Sequence, residues 1–155
     1  MGEDWTYFDR IHRQKLQDGE PVYIAPELYP SVLRRVRRNR YVNKYKSDTF
    51  SLGLVLLRCG LNQDIQLIYS GGELDRSALK ALVDEFQLRF ADYPLLHTTV
   101  RMMLETDPSR RPDFIELKAE LGNFEEVKEY LMANEGDSSA KFEQTSDISM
   151  QKKGP

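Results

Sequence analysis

A concentration of cationic side chains is the clearest chemical feature of this sequence. Every charged residue between Tyr29 and Ser47 is basic, and the apolar residues Val32, Leu33 and Val36 fall at helical spacing. The stretch 31–40 therefore predicts a basic amphipathic helix, whose cations could bind an anionic partner. The basic patch consists of Arg34, Arg35, Arg37, Arg38, Arg40, Lys44 and Lys46.

Two kinds of anionic partner suit this basic patch. Tyr41 and Tyr45 could stack on nucleic-acid bases, but no recognised nucleic-acid-binding fold accompanies them. An acidic or phosphorylated protein surface satisfies the cations equally well, and a solvated basic helix needs no partner at all. We therefore favour a solvated helix or a protein partner over nucleic acid.

The sequence offers no metal site and no obvious nucleophile. Cys59 is the only cysteine, so there is no disulfide framework and a reducing, intracellular compartment is expected. We expect Cys59 to be a small buried hydrophobe and His97 to be a packed histidine. No cluster of cysteine, histidine and carboxylate residues has metal-ligand spacing, so no metal and no cofactor are predicted.

The elements that position these residues are organised around one apolar stretch, at 47–59. Asp48 is a candidate N-cap, and Gly60 stands where a left-handed residue would end a helix. A buried strand is the alternative, but the apolar run exceeds usual strand length. A helix that is apolar on nearly every side must be buried on every side. We therefore predict a buried central helix over about 47–59.

The remaining chain predicts an all-α protein with one domain at 19–121. Residues 1–18 read as a loop or one short helix, and 19–28 as an extended loop with a helical turn at Pro26. An accessory helix over 122–134 and a flexible tail over 135–155 follow the domain. Apolar periodicity indicates the other helices over 74–90, from Pro94 to before Asp107, from Pro112 to Leu121, and over 124–132, where Asn123 and Glu126 form a capping-box-like pair.

Three segments, taken in order, resemble parts of a protein kinase. Residues 19–27 resemble the end of an activation segment, and 48–53 resemble the start of the kinase central helix. The run Asp107-Pro108-Ser109-Arg110-Arg111-Pro112 resembles a loop late in the kinase C-terminal lobe. The resemblance covers about residues 19–121 and is closest to serine/threonine kinases. It implies a kinase C-lobe-like helical bundle around the central helix, without the β-rich N-lobe.

The resemblance also implies roles for individual residues. Glu27 would form an ion pair with Arg111, and the loss of one partner from such a pair costs about 3–5 kcal/mol. Asp48 would hold a catalytic loop that this chain lacks, so it either only caps its helix or binds something else. The activation-segment-like loop comprises Gly19, Glu20, Tyr23, Ala25 and Pro26.

The motifs that a kinase needs for phosphoryl transfer are missing from the sequence. A glycine-rich phosphate loop, a strand lysine, a His-Arg-Asp loop and an Asp-Phe-Gly motif are all required. The run Ile11-His12-Arg13-Gln14 has glutamine where the catalytic aspartate would stand, and Glu20 replaces the usual threonine. We expect a catalytically inactive, pseudokinase-type interaction or structural module that is a subunit of a larger assembly.

A protein partner is expected to cover the apolar surface that a kinase N-lobe would occupy. The alternative is that the chain is the C-terminal fragment of an active ATP-dependent serine/threonine kinase. No signal peptide and no run of about 20 apolar residues is present, so we expect no membrane contact. We expect an intracellular and cytoplasmic location, with a cytoskeletal or organellar assembly left open.

Overall fold

The regular structure of this chain is almost entirely helical, and its fold class is all-α. The structure, a computed structural model, describes residues 5–18, 20–34, 42–70, 73–130 and 132–133. Two short strands, β1 (Tyr69–Ser70) and β2 (Glu73–Leu74), pair antiparallel. The helices are α1 (Trp5–Gln17), α2 (Tyr29–Arg34), α3 (Lys44–Leu61), α4 (Arg76–Arg89), α5 (Pro94–Met103) and α6 (Phe114–Leu121), and residues 125–130 are helical as well.

The N-terminal segment, predicted as a loop or a short helix, forms the helix α1. The extended loop predicted after it is present from 20 to 25 and enters a turn at 26–28. Helix α2 covers the first part of the predicted basic helix, and residues 35–41 lie outside the described part of the chain. The predicted flexible tail at 135–155 also lies outside it.

Helix α3 is longer than predicted at both ends, which corrects the expected caps. Asn43 is the N-cap, and its side-chain oxygen accepts hydrogen bonds from the amides of Tyr45 at 3.0 Å and Lys46 at 3.3 Å. Asp48 lies inside the helix and is not its cap, because Asn43 satisfies the first-turn amides one turn earlier. Asn62 ends the helix in the left-handed conformation, with φ of 53°.

Gly60 lies within α3, so its predicted role as the C-terminal cap is wrong. A Cβ atom at this position would lie 2.3 Å from the ring of Phe86 and 2.9 Å from the ring of Phe90. The glycine therefore allows α4 to approach the backbone of α3. Gly53 serves a similar purpose, since its Cβ would lie 3.0 Å from Met103 and Leu104.

The helices after α3 mostly begin where the sequence predicts. Asp75 caps α4 by accepting hydrogen bonds from two backbone amides, each at 2.9 Å. Pro94 occupies the first turn of α5. Helix α6 differs, because Asp113 accepts hydrogen bonds from the first-turn amides and the Glu116 carboxylate accepts from the Asp113 amide. This capping box places Pro112 just outside the helix rather than in its first turn.

The apolar core lies mainly between α3, α4 and α5. Helix α3 packs against both α4 and α5, and Ile65 and Ile68 of the connection after α3 are buried in the same core. A second apolar cluster forms where the extended loop meets α2, from Val22, Ile24, Tyr29 and Val32.

The chain forms two compact units, and the division between them falls after Leu117, inside α6. The predicted domain boundary at 121 lies within the same helix. In the second unit, residues 125–130 form the accessory helix, which carries an exposed ion pair between Lys128 and Glu125 at 3.1 Å.

Candidate functional site

A buried ion pair joins the extended loop before α2 to the loop after α5. The Arg111 guanidinium donates to both carboxylate oxygens of Glu27, at 2.8 Å and 3.2 Å. The Arg111 side chain is completely buried, and that of Glu27 is 14% exposed. The bidentate pair that the kinase resemblance implies is therefore present, linking segments that are 84 positions apart in sequence.

The remaining donors and acceptors of this ion pair are also satisfied. Arg111 donates to the backbone carbonyls of Glu105 at 2.7 Å and Lys46 at 3.0 Å. The Ser47 hydroxyl donates to Glu27 at 2.8 Å, and the guanidinium lies over the ring of Phe50 at 4.6 Å. Because both charges are fully engaged, this cluster acts as a structural tie rather than as a ligand site.

The activation-segment-like loop is held in place by contacts on both sides. The Tyr23 hydroxyl accepts a hydrogen bond from Arg58 of α3, and the Tyr69 hydroxyl donates to the Ile24 carbonyl. Burial raises the pKa of the Tyr69 hydroxyl well above its ordinary value, so the hydroxyl stays a donor. Ala25 is fully buried.

The other members of this loop differ in their surroundings. Pro26 is partly buried at the turn, and Glu20 is exposed with its amide bonded to the Lys15 carbonyl at 2.8 Å. Gly19 lies outside the described residues. The run Ile11-His12-Arg13-Gln14 has only a superficial likeness to a kinase catalytic loop, and it is part of α1. Its Arg13 side chain donates a hydrogen bond to the Val32 carbonyl at 2.7 Å.

The structure describes only two side chains of the basic patch. Lys46 forms an ion pair with Glu116 at 3.0 Å, and the Lys44 ammonium lies 5.4 Å from the centre of the Tyr45 ring. Arg34 belongs to α2, although its side chain is not described, and Arg35, Arg37, Arg38 and Arg40 lie outside the described residues. The predicted role of this patch in binding an acidic or phosphorylated partner stays a prediction.

Two carboxylates close to this patch are stabilised in their charged form. Hydrogen bonds donated by the Ser109 hydroxyl and amide lower the pKa of the Asp107 carboxyl. The hydrogen bond from the Asp113 amide lowers the pKa of the Glu116 carboxyl most, and the interaction with Lys46 lowers it further. Both carboxylates therefore serve to fix loops and a helix start.

One side of α3 is exposed, which corrects the prediction that this helix is buried all round. We call this side the open face; it is formed by Tyr45, Asp48, Leu52, Val55 and Cys59. Tyr45 is 58% exposed, Leu52 is 42% exposed and Val55 is 37% exposed. The spacing of the five residues alternates between three and four, which places them in one stripe along a helix.

The open face was missed in the sequence because its composition is almost as apolar as the buried side. Cys59 is exposed, so the expectation that it is a small buried hydrophobe is wrong. The only sequence signal was the recurrence of polar or weakly apolar residues at Asp48 and Cys59, on either side of Leu52 and Val55. Asp48 belongs to this exposed stripe and has an interaction of its own within the chain.

The described residues contain no group of three or more histidine, cysteine or acidic side chains arranged to hold a metal ion. Over the same part of the chain, none of the helices combines the length and apolar character needed to cross a membrane. The candidate functional features of the described residues are the buried tie between Glu27 and Arg111, the ordered loop at 20–28 and the open face of α3.

No protein-family model, curated protein or solved structure matches the chain.

Proposed function

We propose that this chain is a non-catalytic, kinase-like interaction module, a subunit of a larger protein assembly. In this proposal the open face of α3 binds an apolar helix of a protein partner. The observation that carries it is the exposure of Leu52 and Val55 on a helix whose opposite side forms the core.

The spacing of the open face favours a helix as the partner element. Positions that alternate by three and four stay in line along a helix and form the seam of helix–helix packing. From Tyr45 to Cys59 the stripe extends for roughly 20 Å, at about 1.5 Å per residue. That length suits a partner helix of about four turns lying along α3.

Covering the exposed apolar side chains of the open face would stabilise a complex. Leu52 and Val55 each stabilise a complex when a partner removes them from water, at about 25 cal/mol per Å² of apolar surface. Scattered apolar side chains on a surface need no partner, but exposed apolar side chains that are neighbours on one helix face, as Leu52 and Val55 are, favour an interaction site. Leu88 and Ile115 are even more exposed, at 80% and 81%, but they lie on different helices.

The kinase-like part of the proposal is supported by the tie between Glu27 and Arg111 together with the ordered loop at 20–28. These features hold the extended loop against the start of α3 and require no nucleotide. They fit a kinase-like helical scaffold that keeps its fold without the catalytic motifs.

The test is the native mass of the endogenous protein and of two variants expressed in its place. We expect the wild type in a stable assembly larger than its own 18.1 kDa. The double variant Leu52→Glu/Val55→Glu should run at the mass of the free chain, because it places two charges in the seam. The matched control, Leu88→Glu/Ile115→Glu, adds the same charges elsewhere and should stay in the assembly. A wild type that is monodisperse at 18.1 kDa, or two variants that behave alike, would contradict the proposal.

The competing proposal is that the chain is the C-terminal part of an active ATP-dependent serine/threonine kinase. It is favoured by the exposed position of Asp48 on the open face, where the kinase resemblance would place a catalytic loop. In that case the open face contacts the rest of the same polypeptide. The same experiment decides, because the denatured mass of the endogenous chain would then be about 30 kDa or more, as a two-lobed kinase requires.

A further inference from the structure

A cavity between α4, α5 and the loop after α5 combines an apolar floor with an excess of positive charge. Its volume is about 720 Å³, within the range of roughly 300–1,000 Å³ typical of ligand sites. Leu79 and Leu104 form part of its floor and are 3% and 4% exposed. The charged side chains around them are Arg76, Lys80, Asp84, Arg101, Glu105 and Arg110.

Two of the cations around the cavity are outside the ion pairs that the structure describes. Lys80 pairs with Asp84 on α4, and Arg110 pairs with Glu105 at 3.2 Å. Within the described residues, neither Arg76 nor Arg101 forms an ion pair, although the charge of Arg76 helps to lower the pKa of the Asp107 carboxyl. Both carboxylates that line the cavity are thus paired, and its lining keeps an excess of two positive charges, carried by Arg76 on α4 and Arg101 on α5.

We propose that this cavity binds an acidic segment of a protein partner. Carboxylates of the segment would meet Arg76 and Arg101, and an apolar side chain between them would lie on Leu79, Val83 and Leu104. Guanidinium groups suit this role because their planar donors match a carboxylate. Val83 beside the two buried leucines is only partly buried, so it offers an apolar contact that a free inorganic anion would not use.

This site is separate from the open face of α3. Its floor residues belong to the core on the buried side of that helix, and none of its lining residues lies on α3. The proposed acidic partner therefore does not depend on the proposed function, and the two tests can fail independently.

The experiment measures fluorescence anisotropy with the full chain and a short fluorescein-labelled peptide in which glutamates flank a leucine. One comparison peptide carries glutamines in place of the glutamates, and another carries serine in place of the leucine. We expect the wild type to bind the glutamate peptide, with affinity that falls as salt is added. The two comparison peptides should bind more weakly, because each lacks one half of the recognition.

The decisive variant is Arg76→Glu/Arg101→Gln. Glutamate is tolerated at the first position of α4, where the helix dipole favours negative charge. The double variant should weaken binding by about tenfold, because two exposed charge contacts are lost and one is reversed. The control Arg10→Glu/Lys15→Gln on α1 changes the net charge by the same amount away from the cavity and should leave the affinity nearly unchanged.

Several results would overturn the proposal. Equal weakening by the control variant would show that only the overall charge matters, and equal binding of the glutamine peptide would remove the role of the arginines. Equal binding of the serine peptide would show that the apolar floor does not contribute to recognition. Absence of binding between the wild type and the glutamate peptide would contradict the proposed site as a whole. Circular dichroism verifies folding, and the single variants Arg76→Gln and Arg101→Gln replace the double variant if it does not fold.

Discussion

The two sides of α3 have similar side chains and opposite surroundings. Phe50, Leu54 and Leu57 are fully buried, whereas Leu52 and Val55 on the open face are 42% and 37% exposed. Helices α4 and α5 cover only the first side. The apolar character of a helix therefore limits which side chains it can bury, while the neighbouring elements decide which of them are buried.

The buried side of α3 also contacts the ion pair between Glu27 and Arg111. Arg111 lies against Phe50 and bonds to the carbonyl of Lys46 at the start of α3, so the tie anchors the N-terminal end of the core. Leu52, Val55 and Cys59 on the open face carry no charge, so these three positions cannot form a comparable ion pair. A substitution on the buried side should therefore affect folding, and one on the open face should affect binding.

The largest expected effect comes from removing the buried cation. Arg111→Ala should lower the free energy of unfolding by about 3–5 kcal/mol, because Glu27 would keep a charge without its partner. The neighbouring control Arg110→Ala removes an arginine that is 74% exposed, and should cost about 1 kcal/mol or less. Urea denaturation measures both, and similar losses for the two variants would contradict the distinction between tie and surface.

A second pair of variants compares the two sides of α3 directly. Leu57→Ala should cost about 2–5 kcal/mol, since it removes a buried side chain and leaves a cavity. Val55→Ala on the open face should change the free energy of unfolding by about 0.5 kcal/mol or less. Thermal and urea unfolding test this. A comparable loss for Val55→Ala would mean that the open face is covered within the chain itself.

Alanine at Gly60, where α3 and α4 are in close contact, should lower the free energy of unfolding by a smaller amount. In Gly60→Ala the new Cβ meets the ring of Phe86, which is 2% exposed and cannot move away freely. Overpacking of this kind costs about 1–3 kcal/mol, against a gain of roughly 0.5–1 kcal/mol from alanine in a helix. Gly53→Ala should lose less because its nearest neighbours are 3.0 Å away. The reverse order in urea denaturation would argue against the role assigned to Gly60.

The smallest predicted effect is a dependence of stability on acid pH. Hydrogen bonds hold the pKa values of Asp107 and Glu116 below their ordinary values of 3.8 and 4.5. The unfolded chain therefore binds protons more readily, and the stabilisation is present above those values and lost as the pH falls through the folded pKa values.

Urea denaturation at neutral pH and at a pH below these ordinary values measures this loss. The variant Asp107→Asn/Glu116→Gln should be less stable at neutral pH and should lose less stability on acidification than the wild type. The control Asp92→Asn/Glu120→Gln changes exposed carboxylates outside these hydrogen bonds. If the control flattened the pH dependence equally, the effect would belong to overall charge rather than to these hydrogen bonds.

Local sequence signals located most of the helices. Asp75 before α4 and Pro94 at the start of α5 act through their immediate neighbours, so short-range chemistry was sufficient. The predicted caps of α3 failed, because Asn43 competes for the same first-turn amides one turn earlier than Asp48. Gly60 is not the cap because the helix continues to Leu61 and Asn62 takes the left-handed conformation. A glycine is needed at position 60 because the ring of Phe86, distant in sequence, occupies the space of a side chain.

The candidate site was predicted only in part. The pairing of Glu27 with Arg111 followed from the kinase resemblance of their surrounding motifs, and the structure has this ion pair. The open face could not be derived from composition, since Leu52 and Val55 do not differ chemically from their buried neighbours. The cavity beside Arg76 and Arg101 combines two helices whose relative placement no local pattern specifies.

Periodicity and backbone chemistry in the sequence were sufficient to predict the all-α class and the positions of most helices, and the resemblance to kinase motifs indicated the two residues of the tie. The packing of the helices determines which side of α3 is covered, why Gly60 has no room for a side chain and which arginines pair with a carboxylate. The physical reason is that burial and ion pairing depend on distances between segments far apart in the chain. Those distances are fixed only when α3, α4 and α5 pack together.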